Sequence, residues 1–470
     1  MRPSRRLRPS RHQRPSRLRP TGRVGPAALL ATVLVGLLGA ALLAPAPVAA
    51  EDERAAAVVP ASAETISVEV PPEEGAPGGY RDVPVAPPTQ GAEALRGDAR
   101  AGRVDGKVRA LSKTGPSRDR LDVVITGDGY TAAQQDDFRA DARARWQQLT
   151  SIEPYKSYRG LMNVWMVQAV SRDSGIDRDR NTDPGNVNDK RTALGAYFWC
   201  NGLERLICVN VRAVGRYAAK APQAELAVVV ANSSRYGGAG YFDGLRGLTG
   251  IATLSSDNPY SSEIGSHEVG HALGKLADEY WSCGSCGYGS TREAAEPNVT
   301  VHGSVAYLRD NSRKWYRWLG ETDPTGGTVG VHQGGKYVAR GIWRPTENSI
   351  MRSLGLGFNL PGQESMINGF YRYAQPVSSN VRGGTRISRT RLIKLRLASL
   401  GDLAALQVRW YRNGKEVVAA RGRTTLRPSA LGVPARGRHT VKVRVADRTG
   451  AVRSPRIRAN AARTISWTVR

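Results

Sequence analysis

The chain has 470 residues, with 68 Lys and Arg against 41 Asp and Glu and a formal net charge of +27. That length is too great for one ordinary domain and is enough to bury a sizeable core. The charge does not make the chain a nucleic-acid binder, because no recognition motif accompanies it; 57 Arg against 11 Lys reads as an arginine-rich composition spread along the chain.

Residues 1–50 read as a secretory signal peptide. Nine arginines without an acid precede an apolar run from Pro26 to Leu43, and Val48-Ala49-Ala50 offers small residues for cleavage. An uncleaved membrane anchor is the alternative. No second long apolar stretch follows, so no membrane span is expected after removal of the leader. The location is expected to be secreted and extracellular. A basic protein there is expected to adhere to anionic cell-wall polymers or acidic substrates.

Residues 51–117 are rich in Ala, Pro, Gly and Glu and read as a linker or propeptide, largely disordered. The alternation Thr65-Ile66-Ser67-Val68-Glu69-Val70 within it could supply a small strand to the main domain. Order is expected from near Arg120, in a domain spanning 118–374. Leu121 to Thr126, Asn163 to Val170, Glu225 to Ala231 and Gly250 to Leu254 read as buried strands. A helix carrying Phe138, Ala142, Trp146 and Leu149 separates the first two. Strands alternating with helices predict an α/β (α+β) domain with a mixed sheet. Leu226 to Ala231 is a candidate edge strand to which an extended peptide could add; an ordinary buried strand is the other reading. The glycines from Gly237 to Gly240 would let a backbone approach closely.

His267-Glu268-Val269-Gly270-His271 carries the chemistry. Residues four apart on a helix lie about 40° apart in direction and about 6 Å apart in height, so His267 and His271 can grip one cation. Zinc suits two neutral imidazoles and a third protein ligand, with a fourth position open to water, whose pKa then falls towards neutrality. Glu268 would take the water's proton and pass it to the leaving amine. With six histidines in the chain, the motif is expected by chance in roughly three of a thousand such sequences, so two incidental histidines explain it poorly. The serines from Ser261 onward offer helix caps.

The third ligand is less local. Gly274 stands where the metzincin pattern has a glycine that turns the helix sharply, but the position ten residues after His267 is Ala277. On an unbroken helix Asp278 would lie about 10 Å beyond His271. A break at Gly274 would bring back Asp278 or, less favoured, Glu279, while His302 and His332 are distant alternatives. The carboxylate left over could orient a histidine. Thr346 to Arg352, with Met351, resembles a Met-turn.

Residues 375–470 change to short alternating strands without helices and read as a small all-β immunoglobulin-like sandwich, with Asn413-Gly414 as a hairpin turn. The four cysteines suggest local pairs, Cys200–Cys208 and Cys283–Cys286; a four-thiolate zinc site is the alternative.

Six segments together resemble the IgA-peptidase family of bacterial zinc metallopeptidases. They are Ile125 to Thr131, Gly195 to Cys200, Asn232 to Gly238, His267 to Gly274, Leu276-Ala277-Asp278-Glu279-Tyr280, and Arg344 to Arg352. The resemblance spans roughly 120 to 372 and implies a metzincin-like zinc endopeptidase with His267 and His271 as ligands and Glu268 as base. It carries no substrate specificity beyond protein or peptide. Two other readings stay open: a non-catalytic wall-binding or adhesion protein carrying a relic peptidase domain, and a zinc hydrolase acting on another bond.

Overall fold

The computed structural model describes the backbone of residues 65–70 and 79–84, and then residues 104–179, 190–242, 245, 247–401 and 406–470. The leader, 1–50, lies outside the described residues. Val59 to Arg470 forms one compact unit. No helix among the described residues is long and apolar enough to cross a membrane.

A mixed sheet organises the larger part. Its strands are β1 (Thr65–Val70), β2 (Gly79–Pro84), β3 (Val108–Ser112), β4 (Leu121–Asp128), β5 (Met162–Val167), β6 (Leu226–Ala231), β7 (Gly238–Phe242) and β8 (Gly250–Ser255). They lie in the order β2-β1-β7-β8-β6-β4-β5-β3. The centre, β8-β6-β4-β5, is parallel, and every residue of these four strands is buried. Burial on both faces is why they appear in the sequence as continuous apolar runs. β7 runs antiparallel to β8.

Two expectations are corrected here. β6 is not an edge strand: it is hydrogen-bonded to β4 on one side and β8 on the other, so its backbone groups are already paired and cannot take up a further strand. Within the stretch read as linker, residues 65–70, 79–84 and 104–117 are described and include strands, β1 pairing with β7 and β3 with β5, both antiparallel, while the rest of 51–103 lies outside the described residues. The alternating Thr65 to Val70 is the strand it suggested.

Helices α1 (Gln135–Leu149), α3 (Ser261–Gly274) and α4 (Leu360–Tyr373) contribute to a core with one set of strand side chains. α2 (Val211–Ala218) and the 193–209 segment pack on the alternate set. The Cys200–Cys208 disulfide lies in that second core, and Cys283–Cys286 closes the other local loop; their Cα atoms are 5.4 and 5.3 Å apart. Both pairs are the expected ones.

A second, small sheet follows α3. Its strands are β9 (Trp281–Gly287), β10 (His332–Gly335) and β11 (Tyr337–Arg344), with β11 central. Beyond α4, a five-stranded and a three-stranded sheet enclose their own core, in which Trp410 and Trp467 stack at 6.1 Å. Asn413 and Gly414 take positive φ values of 47° and 84° at the expected hairpin turn. A short helix, Pro455–Asn460, interrupts what had read as strands alone. Buried polar bonds fasten this region to the rest: Asp447 accepts from the hydroxyls of Tyr158 and Tyr371 at 2.9 and 3.0 Å.

Candidate metal centre

The helix α3 is buried along almost its whole length, with Ile264, Val269, Ala272 and Leu273 in the core as its apolar pattern predicts. No side chain caps its start; the Ser261 hydroxyl instead accepts from the Gly237 amide at 3.2 Å. Its end departs from expectation in an informative way. The residue with left-handed backbone is Lys275 (φ 53°), not Gly274. Lys275 N reaches His271 O at 3.1 Å, the 5→1 bond of a left-handed helix cap, and Leu276 N reaches further back to Gly270 O at 3.4 Å. Gly274 serves close packing instead, because a Cβ there would stand 2.8 Å from Met366 Sδ.

That turn brings Asp278 back to the helix. Its Oδ1 lies 3.1 Å from His267 Nε2 and 3.3 Å from His271 Nε2. The two Nε2 atoms are 3.0 Å apart. Each ring is oriented through its other nitrogen: His267 Nδ1–H donates to Ile350 O at 2.9 Å and His271 Nδ1–H to Leu276 O at 2.6 Å. A carbonyl can only accept, so in the neutral rings both Nε2 atoms present lone pairs. Two lone pairs and a carboxylate oxygen held this close repel unless a cation sits among them. Ligands about 2.0–2.1 Å from a tetrahedral zinc stand about 3.3 Å from one another, close to the observed spacing. His267, His271 and Asp278 are thus a buried group that could hold a metal ion.

The 277–280 segment is fixed by backbone bonds on every side. Ala277 exchanges bonds of 2.7 and 2.8 Å with the Asn298 amide. Lys336 N donates to Asp278 O, Glu279 N to Met351 O and Tyr337 N to Tyr280 O. The Tyr337 hydroxyl also donates to Asp278 Oδ2, so the carboxylate is held from behind, as ligating carboxylates are.

Glu279, the less favoured ligand, points elsewhere. Its carboxylate accepts from Ser349 Oγ (2.6 Å), Asn298 Nδ2 (2.9 Å) and Asn359 Nδ2 (3.1 Å). Burial raises its pKa above the ordinary glutamate value, outweighing these donors. It does not touch a histidine; it anchors the 349–351 turn whose Ile350 carbonyl orients His267. The distant alternatives are engaged outside the cluster, His302 with Glu293 (3.7 Å) and His332 with Glu347 (3.4 Å). Met351 lies against α3 between the two histidines: a Cβ on Gly270 would be 2.8 Å from its Sδ.

Glu268 shares a cleft of about 350 Å³ with Arg205, Tyr236, Ile264, His267 and Tyr280. Its carboxylate is pressed against β7, where a Cβ on Gly240 would stand 2.0 Å from Oε2. The group that comes close to this glycine is a side-chain carboxylate and not the backbone the sequence reading expected. The Tyr280 ring stacks over His267 at 6.5 Å.

A family model described as IgA Peptidase M64 matches residues 109–327 and 319–370, more than half of the chain. The chain belongs to this peptidase family. No curated protein matches the chain. The family match covers the mixed sheet from β3 onward, α3, the 277–280 segment and the Met351 turn. Tyr337 and Gly240 were not singled out from the sequence as members of the site. The Gly-x-Gly of β7 was the one local signal for Gly240, and Tyr337 had none.

Proposed function

We propose that the protein is a secreted, metzincin-like zinc endopeptidase, with His267, His271 and Asp278 as metal ligands and Glu268 as general base. One observation carries this reading: two imidazole nitrogens and a carboxylate oxygen converge within 3.0–3.3 Å of one another beside a second carboxylate in an open cleft. Zinc at that point would supply a Lewis acid that makes water nucleophilic near neutral pH and polarises the scissile carbonyl. Glu268 accepts the proton of the attacking water and returns it to the departing amine nitrogen, so the amine leaves neutral. Tyr337 holds the Asp278 carboxylate, and the Ile350 and Leu276 carbonyls hold the rings in the required tautomer. The region beyond residue 375 serves this enzyme as an immunoglobulin-like accessory module.

The test pairs metal analysis with proteolysis. Purified protein contains about one zinc per chain, and Glu268→Gln abolishes casein cleavage while leaving that zinc content within error. A metal-free protein that still cleaves, or a Glu268→Gln protein with normal turnover, sinks the mechanism. Zinc binding without cleavage of any peptide, but with hydrolysis of esters or amides of other classes, favours a different zinc hydrolase.

A further inference from the structure

The reading of the positive charge as spread along the chain is corrected by counting it segment by segment. Residues 375–470 hold 22 Lys and Arg against three acids, a net of +19. The leader holds nine arginines and no acid, so residues 51–374 carry 37 basic against 38 acidic side chains, a net of −1. The part of the chain containing the metal centre is neutral, and the C-terminal sheets carry essentially all the charge left after the leader. An arginine-rich genomic composition would enrich both parts alike, so composition alone does not explain the difference.

The structure arranges part of this charge on one surface. In the five-stranded sheet, Leu406–Arg412, His439–Asp447 and Ala462–Val469 are neighbouring strands. Val408, Trp410, Val441, Val443, Val445, Ile465 and Trp467 fill the core. The alternate positions form the other face. There Arg409 stands directly opposite Arg444, and Arg444 opposite Thr464; Tyr411 stands opposite Lys442, and Lys442 opposite Ser466. Like charges directly across a strand pair destabilise a sheet, so Arg409 beside Arg444 is a cost without an evident structural return. Little acid offsets it. Asp447 is buried on Tyr158 and Tyr371, and Glu416 is held by Arg421 at 2.6 Å and lies 3.8 Å from Arg409. Lys442 and Arg444 have no carboxylate partner among the described residues. Thr464 and Ser466 also line a polar groove of about 680 Å³, whose walls include Arg118, Arg382 and Arg463; its one acid, Asp119, is paired with Arg463 at 2.5 Å and lies 3.8 Å from Arg118, so Arg382 is the cation there without a carboxylate among the described residues. Face and groove are therefore contiguous.

We infer that this face and its groove bind a flexible, base-free polyanion, the poly(alditol phosphate) of a cell envelope. The cations recur about 5 to 7 Å apart across and along the strands, a spacing comparable to phosphates joined through a three-carbon unit. On the neighbouring strand the hydroxyls of Thr464 and Ser466 stand opposite Arg444 and Lys442, beside the cations, to take phosphate oxygens. Single-stranded nucleic acid would need a row of exposed aromatic rings for stacking, and this face has only the half-buried Tyr411. A membrane would need apolar side chains to insert, and no exposed large hydrophobic residue lies on it. The surface places a neutral peptidase on a charged polymer without using the catalytic cleft for attachment.

The experiment titrates the purified protein with poly(glycerol phosphate) at several salt concentrations. Arg409→Gln, Lys442→Gln and Arg444→Gln together weaken binding at least ten-fold. They also lower the slope of log affinity against log salt by about 2, for three phosphate contacts at about 0.7 each. Arg391→Gln, Lys394→Gln and Arg423→Gln, an equal loss of charge away from this face, change affinity less than three-fold. Thr464→Glu, a single exposed change on the same face, reproduces the loss should the triple variant fold poorly. Equal weakening by both triple variants overturns the inference, since net charge alone would then be responsible. Tighter binding to single-stranded DNA or to phosphatidylglycerol vesicles than to the polymer overturns it too. Zinc content and peptide cleavage stay at the parent level in the face variants.

Discussion

Replacing Asp278 by alanine should cost the protein its metal. In the proposed site the carboxylate would supply one of three ligand atoms, and its Oδ1 lies 3.1 and 3.3 Å from the two Nε2 atoms. Four-ligand structural zinc sites bind with about 10–16 kcal/mol, which is about 3–4 kcal/mol per ligand. Losing Asp278 therefore weakens zinc binding by about 10²–10³-fold. Tyr337→Phe keeps the ligand and removes only the hydroxyl that holds Oδ2, so its loss is smaller, about ten-fold. Competition against a chromophoric zinc chelator at pH 7 measures both, with a thermal melt of the metal-free proteins to show that each variant folds. Asp278→Ala binding zinc within three-fold of the parent would refute the assignment. So would a Glu279→Gln protein that folds but loses zinc while Asp278→Ala keeps it.

Gly240→Ala places a Cβ 2.0 Å from Glu268 Oε2 and 2.5 Å from Phe242 Cζ. A shift of about 1 Å in a reacting group can cost about 10²-fold, so kcat for a peptide substrate falls by about that factor while zinc content is unchanged; unaltered kcat would mean Glu268 has room to spare. Asp447→Ala leaves the hydroxyls of Tyr158 and Tyr371 without their buried acceptor, at about 1–3 kcal/mol each. Urea unfolding should show a loss of about 3 kcal/mol, and a change under 0.5 kcal/mol would mean that water reaches the junction.

The legible parts of the fold are those where burial dictates composition. β4, β5, β6 and β8 are buried on both faces, so each stands out as a largely apolar run within three residues of its observed ends. Leu406–Arg412 and His439–Asp447 bury one face and alternate accordingly. Strand order is a different matter. Nothing in Leu226 to Ala231 says which neighbours it has, and a fully paired strand looks the same as an apolar edge. β9 was invisible for the opposite reason: Trp281–Gly287 is mostly exposed, so it carries no periodic apolar signal, and its pairing with β11 is broken by register shifts.

The site divides along a similar line. His267, Glu268 and His271 are legible because one helical turn fixes their relation, and Asp278 because it follows the helix end closely enough to return. What orients them is largely main chain: the carbonyls of Ile350 and Leu276 belong to residue types that any apolar side chain could replace, so no sequence pattern marks them. The glycines mislead for a related reason. A glycine near a helix end invites the reading of a left-handed turn, yet Lys275 makes that turn while Gly270 and Gly274 lie against Met351 Sδ and Met366 Sδ. Backbone strain of about 1 kcal/mol at one lysine is tolerable on an exposed turn. A methyl group at Gly270 would push α3 off the turn that orients His267, and one at Gly274 would push it off α4. Glycine is required where α3 meets its neighbours, and the turn can make do without it.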